Sequence, residues 1–250
     1  MLVTLAASAA CDHGGLRLEE PALPVASTPL DGALGVPRNA EIRVRYDRRL
    51  APWTVHRGTI RVGSGSASAF LSVRYDPVRL EIVAVPFERP LVANVDYTIF
   101  VEGPRDLDGV LVEPFEAGFS TGATSGEPPR AGTTRWEAVE PIVRETCAPC
   151  HDASDPIGLD LSTPEGWQAT ALGVPAIQTG DREAFPERGL TGLPRVDVIA
   201  GNGRPATSYL VYKLLDDPHI VGERMPPEAS LTVAEITAIA DWIQGGARFE

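Results

Sequence analysis

Two cysteines and a histidine lie within five residues, Cys147 to His151, in the order Cys-Ala-Pro-Cys-His. Because the thiols are three residues apart, one turn of the chain can direct both towards the same ligand. This is the spacing at which two thiols form thioethers with one porphyrin, while the adjacent imidazole lies under the iron. The motif therefore predicts one covalent haem c, attached through Cys147 and Cys150, with His151 as the proximal iron ligand.

Other uses of the same residues stay open at this point. Structural zinc requires four nitrogen or sulfur ligands, usually as two pairs, and the only further cysteine, Cys11, is remote in sequence. A redox dithiol of the thioredoxin kind belongs at a helix N-terminus in a βαβ unit, and no such strand pattern precedes Cys147. A plain structural pair of cysteines beside an incidental histidine is the third alternative.

The predicted haem iron needs a second axial ligand, and the chain has few other methionines and histidines to supply it. Apart from Met1, the chain has only Met225, in the segment Arg-Met-Pro-Pro. A thioether in a loop braced by prolines suits a rigid iron ligand better than a core position. His219 is the competing candidate, with a solvent-exposed loop histidine as its simpler interpretation. We expect Met225 to be the distal ligand.

The composition limits the classes of function. The chain has 250 residues with 22 basic and 34 acidic side chains, a net charge of −12. Nucleic-acid binding requires cationic surface, so no nucleic-acid partner is expected. Apolar residues make up 43% of the chain, enough for a buried core, and no apolar run is long enough for a membrane-spanning helix.

The N-terminus carries an export pattern. Residues 1–10 are small and apolar, typical of a signal peptide, and residues 11–24 form a tether. The segment Ser8-Ala9-Ala10-Cys11 resembles the lipobox of bacterial lipoproteins, and this resemblance implies lipidation of Cys11. We therefore expect an exported chain in the periplasm or at the cell surface, anchored to a membrane by lipid.

Residues 25–122 have a β pattern. Ile42, Val44 and Tyr46 alternate with arginines, and about seven short runs of this kind are separated by turn residues. The segment resembles bacterial Ig-like domains of the SbsA type, a likeness carried by Ser27–Ala33, Ile42–Asp47, Asp106–Gly109 and Phe119–Thr121. That resemblance implies an all-β Ig-like sandwich that acts as a spacer. Residues 123–132 are a linker by composition.

Residues 133–250 show helical signals. Pro141 can occupy the first turn of a helix that leads to Cys147, and Ser162–Glu165 opens a second short helix. Ser208–Leu215 predicts a third. Thr232 and Glu235 form a capping box that begins the last helix. This half has 9 basic and 18 acidic residues, so it carries most of the negative charge.

The same half resembles a cytochrome c domain of the kind fused to other domains in planctomycete and myxobacterial proteins. The matching pieces keep their order along the chain, and they are Val139–Val143, Cys147–His151, Gly158–Ser162, Ser208–Leu214, Arg224–Pro227 and Glu235–Ala247. The resemblance implies an all-α cytochrome c fold over 133–250, and His151 and Met225 as the two iron ligands.

These expectations combine into a multidomain chain, an all-β sandwich followed by an all-α cytochrome c fold. Its expected function is one-electron transfer by a monohaem c-type cytochrome, with redox partners that present a basic docking surface. We do not expect an enzyme, because two axial ligands leave no open iron position. The alternative is a cell-surface protein whose Ig-like domain binds a partner and whose haem is structural or sensory.

Overall fold

The computed structural model describes residues 20–177 and 190–250. The expected signal peptide, Cys11 and part of the tether lie outside these residues. The first half contains nine strands, which are β1 Pro24–Thr28, β2 Ala33–Val36, β3 Ile42–Tyr46, β4 Ile60–Ser64, β5 Ala67–Ser68, β6 Leu71–Asp76, β7 Glu81–Pro86, β8 Asp96–Val101 and β9 Phe115–Thr121.

These strands form two sheets that face each other across one core. One sheet has the order β1-β3-β7-β6 and the other β2-β9-β8-β4-β5, and every pairing is antiparallel except that of β2 with β9. Ile42, Val44 and Ile82 of the first sheet and Ile60 and Ile99 of the second are completely or almost completely buried. The two-residue alternation thus places one face of each sheet in a shared apolar layer.

Within residues 123–177 and 190–250, the second half has four short α-helices and a small β-ribbon. Their bounds are α1 Trp136–Thr146, α2 Pro164–Thr170, α3 Tyr209–Leu214, α4 Val233–Gln244, β10 Val198–Ile199 and β11 Asn202–Gly203. Isolated bridges also pair Leu172 with Val196 and Pro175 with Pro194. The all-α fold expected for this half is wrong, because the described parts of the glycine- and proline-rich stretches between the helices form turns, bridges and a ribbon instead.

The helices surround an aromatic cluster of Trp136, Trp167 and Trp242. The rings of Trp136 and Trp242 lie 5.2 Å apart, and Trp167 meets Trp242 edge-on at the same distance. Helix α1 begins at Trp136, so Pro141 lies inside the helix and not in its first turn as expected. Burial of Trp136 starts the helix earlier, because tertiary packing outweighs the local preference of proline.

Helix α4 is anchored at its start and near its end. Thr232 and Glu235 form the reciprocal capping box that the sequence predicts. Asp241 accepts hydrogen bonds from the backbone N–H groups of Gly132, Thr133 and Thr134, at 2.6, 2.9 and 2.8 Å. The end of the linker is therefore tied directly to α4.

The two halves pack against each other. Ala51 and Leu107 of the sandwich share a buried apolar cluster with Leu193, Tyr209 and Tyr212 of the second half. Arg49 of the sandwich also forms an ion pair with the buried Asp217, at 3.1 Å. Whether either half folds alone, as the predicted boundary at 123–132 implies, stays a prediction.

Candidate functional site

The Cys147–His151 segment is a tight turn at the end of α1. The Cys147 N–H still donates to the Val143 carbonyl at 2.9 Å, while the N–H groups of Cys150 and His151 both donate to the Cys147 carbonyl, at 3.2 and 3.0 Å. This backbone arrangement places Cys147, Cys150 and His151 along the wall of one cavity. Both thiols are free, and Cys150 is exposed while Cys147 is half-buried.

His151 is held in one orientation by a carboxylate. Its Nδ1 lies 2.6 Å from Oδ2 of Asp155, which leaves Nε2 as the ring nitrogen available to a ligand. Burial opposes ionisation of Asp155, but hydrogen bonds from His151 and the Ile157 N–H bring its pKa below the ordinary value. A carboxylate on the far nitrogen is the usual support of a metal-binding histidine.

Arg195 secures the loop that follows the cysteine turn. Its guanidinium donates to the carbonyls of Gly158 and Thr170, both at 2.7 Å, and to that of Ile157 at 3.0 Å. Sequence reasoning missed this residue, because its three carbonyl partners are 25 to 38 positions away. Arg195 also lines the cavity, where it adds one positive charge to an apolar wall.

Met225 lies on the cavity wall, in the loop between α3 and α4. Its N–H donates to the carbonyl of Lys213 at 2.9 Å. Pro226 and Pro227, which follow it, line the cavity as well. The structure therefore brings Met225 to the same cavity as Cys147, Cys150 and His151.

The cavity has a volume of about 530 Å³. Most of its wall is aliphatic or aromatic, contributed by Leu159, Leu161, Trp167, Leu210 and Leu214. Burial in these surroundings raises the pKa of the Cys147 thiol, so this sulfur is protonated at neutral pH. The site is a mainly apolar chamber with two thiols, one imidazole and one thioether on its walls.

The four side chains line the chamber without forming a closed metal cage. Among residues 20–177 and 190–250, no group of three or more His, Cys, Asp and Glu side chains is gathered closely enough to hold a metal ion. The third sulfur donor, Met225, belongs to a different loop from the cysteines. Any ion that binds here must therefore draw the donors together.

His219, the alternative ligand in the sequence analysis, lies elsewhere. Its Nδ1 is 2.8 Å from Asp217 and its Nε2 is 2.9 Å from Asp108, so both ring nitrogens already have carboxylate partners. The Asp217–His219 spacing is visible in the sequence, but Asp108 is 111 positions away and could not be inferred.

Comparison with known proteins finds similarity only at the level of solved structures. No family model and no curated protein matches the chain. Domains 1–6 of the surface layer protein SbsC are similar, with 12% identity and a TM-score of 0.33. The match covers 42% of this chain and 14% of the SbsC chain. CopC from Methylosinus trichosporium OB3b is similar, with 12% identity and a TM-score of 0.34. The match covers 44% of this chain and 99% of the CopC chain. PcoC, a methionine-rich copper resistance protein from Escherichia coli, is similar, with 16% identity and a TM-score of 0.30. The match covers 40% of this chain and 98% of the PcoC chain.

These findings correct the cytochrome c identification. No family model of any kind, and so no cytochrome c model, matches the chain, and the described residues have more strand than helix. The expectations of covalent haem c, of one-electron transfer by it and of a structural or sensory haem are therefore wrong. A five-residue motif specifies local spacing of thiols and imidazole, and it does not by itself specify the fold around them.

The location outside the cytoplasm that the N-terminal pattern predicts stays a prediction. No helix within the described part of the chain is sufficiently long and apolar to cross a membrane.

Proposed function

We propose that this chain is an extracytoplasmic binding protein that takes up a soft transition-metal ion, copper(I), in the chamber of its second half. Cys147, Cys150, His151 and Met225 are the proposed ligands. The observation that carries the proposal is that all four line one chamber, with His151 oriented through Asp155 so that Nε2 is free. The proposal rests on this donor set and not on the remote structural similarities.

The kind of donor favours copper(I). Thiolate and thioether sulfur are soft ligands that select copper(I), zinc and iron–sulfur clusters among biological metals. Structural zinc sites use cysteine, histidine and carboxylates, and a thioether such as that of Met225 is not among their ligands. Cys147, Cys150 and Met225 together therefore favour copper(I) over zinc.

The backbone supports convergence of these donors on an ion. Cys150 is exposed at the end of a turn, so its side chain can rotate towards the chamber without unpacking core residues. Apolar walls exclude water, and this strengthens the bonds between a cation and thiolate ligands. Because a cysteine binds a metal as the thiolate, binding releases the proton of the Cys147 thiol.

The test is titration of the fully reduced protein with copper(I) in competition with a chromophoric copper(I) chelator. We expect one ion per chain, and at least about tenfold weaker binding in each of Cys147→Ser, His151→Gln and Met225→Leu. His56→Gln, which changes a histidine of the sandwich, is the matched control and should bind normally. If the wild type bound no copper(I), or if the three site variants bound it as tightly as the His56→Gln control, copper(I) would be rejected as the ligand.

A second candidate is an apolar small molecule in the same chamber. The volume of about 530 Å³ and the aliphatic walls favour it, because small-molecule sites are mostly apolar clefts of this size. A polarity-sensitive dye should then gain fluorescence with wild type and lose it with Leu210→Asp. Ile199→Asp, at an exposed position of β10, is the control. Dye binding without copper binding would favour this candidate.

We also propose that Cys11 is acylated and anchors the protein to a membrane, and that the protein binds ligand without catalysing a reaction. The excess of acidic over basic residues in 133–250 favours partners with a basic docking surface, since opposite charge speeds association.

A further inference from the structure

The loop that carries Met225 is connected to the sandwich through a row of alternating charges. This segment, residues 216–225 between α3 and the prolines, is called the Met225 loop below. Its Asp217 is buried, with Oδ2 accepting from Nη1 of Arg49 at 3.1 Å and Oδ1 contacting Nδ1 of His219 at 2.8 Å. His219 Nε2 then reaches Oδ1 of Asp108 at 2.9 Å.

The signs of these groups alternate across the junction between the halves. Arg49 and Asp108 belong to the sandwich, whereas Asp217 and His219 belong to the Met225 loop. The hydrogen bond to Asp217 is the main cause that raises the pKa of His219, to about 9, and Asp108 adds to it. The imidazole is therefore cationic at neutral pH and attracts a carboxylate from each half. Other charged groups at this junction are Asp47, Arg48 and Asp106.

The other end of the Met225 loop is held from α3. Lys213 Nζ donates to the carbonyls of Val221 and Glu223, at 2.6 and 2.8 Å. The Val221 N–H donates to the hydroxyl of Tyr209 at 2.9 Å, and the Met225 N–H donates to the Lys213 carbonyl. The whole loop is thus fixed between two supports, one on α3 and one on the sandwich.

We infer that Asp108 and Arg49 of the sandwich are positioning residues for Met225, acting through His219 and Asp217. The sandwich then holds one wall of the binding chamber and is more than a spacer. As far as it concerns binding, this inference rests on the proposed function. The geometric part can be tested on the metal-free protein.

Met225 itself provides the measurement, because the chain has only two methionines and the other is Met1. With methyl-labelled methionine, the Met225 resonance in the metal-free protein reports the position of the loop. Asp108→Asn removes one charge at a half-exposed side chain and should leave the fold intact. We expect it to shift or broaden the Met225 methyl resonance.

Asp47→Asn is the matched control, because this carboxylate lies at the same junction but accepts from the Leu23 N–H. It should leave the Met225 resonance unchanged. An unchanged resonance in Asp108→Asn, or an equal shift in both variants, would overturn the inference. Circular dichroism of each variant separates a local shift from a loss of fold.

Copper(I) titration gives the second readout. Asp108→Asn should weaken binding roughly two- to fivefold in a chain with Met225, the range set by single exposed ion pairs. In the Met225→Leu variant, Asp108→Asn should cause no further loss of copper(I) affinity, since the ligand that it positions is then absent. An equal loss in both backgrounds would assign Asp108 a purely structural role. A shifted resonance without any copper binding would keep the positioning role and reject the proposed function.

Discussion

Trp136, the first residue of α1, packs against Trp242 near the end of α4 with ring centroids 5.2 Å apart. Trp242 is almost completely buried, and its indole Nε1 donates to the carbonyl of Arg248 at 2.7 Å. The pair closes the second half by joining its first and last helices.

Trp242→Ala should therefore be strongly destabilising. Removing a buried tryptophan leaves a cavity and costs about 3–5 kcal/mol of unfolding free energy. Urea denaturation monitored by circular dichroism would measure the loss. Val233→Ala, at an exposed position of the same helix, should change stability by no more than ~0.5 kcal/mol. Similar midpoints for the two variants would show that the aromatic cluster is not a main source of stability.

Asp155→Asn should weaken binding of copper(I) without unfolding the chain. The carboxylate orients His151 through Nδ1, and loss of such support commonly costs about 10- to 100-fold in metal affinity. Asp152→Asn is the control in the same turn, because Asp152 accepts from Ser154 and not from His151. If both variants kept the wild-type affinity, Asp155 would have no role in orienting a ligand.

The His219 contacts predict a stability that falls at alkaline pH. Because the folded-state pKa, about 9, is above the ordinary value of 6.5, the stabilisation is complete below pH 6.5 and is lost as pH rises through 9. Urea midpoints at pH 6 and pH 9.5 should therefore differ more for wild type than for His219→Gln. Other groups that titrate in this window are present in both proteins and cancel. Parallel changes in the two proteins would refute the prediction.

Cys11 predicts membrane attachment, although it lies outside the described residues. Cys11→Ala should move the protein from the membrane fraction to the soluble fraction, because stable anchoring requires acyl chains. Ser8→Ala changes the same segment but retains the cysteine, so it should stay with the membrane. Wild-type protein that is soluble and retains residues 1–10 would exclude lipidation.

Local patterns were sufficient for several elements. The alternation of Ile42, Val44 and Tyr46 predicted β3, because a strand that is buried on one face requires period two. The capping box of Thr232 and Glu235 predicted the start of α4, since it depends on groups only three residues apart. Motif spacing also selected Cys147, Cys150, His151 and Met225 as ligands, which stays a prediction, and all four line the chamber.

Tertiary structure decided what surrounds the proposed ligands and what supports them. The class of the second half was mispredicted because helix signals in Trp136–Thr146 and Val233–Gln244 say nothing about the glycine- and proline-rich segments between them, which form the ribbon and bridges. His219 has partners in both halves, and the one in the sandwich, Asp108, is 111 residues away. Contacts at that separation are selected by burial and charge pairing across the whole fold, so residue types and spacing determined the donors while packing determined their surroundings.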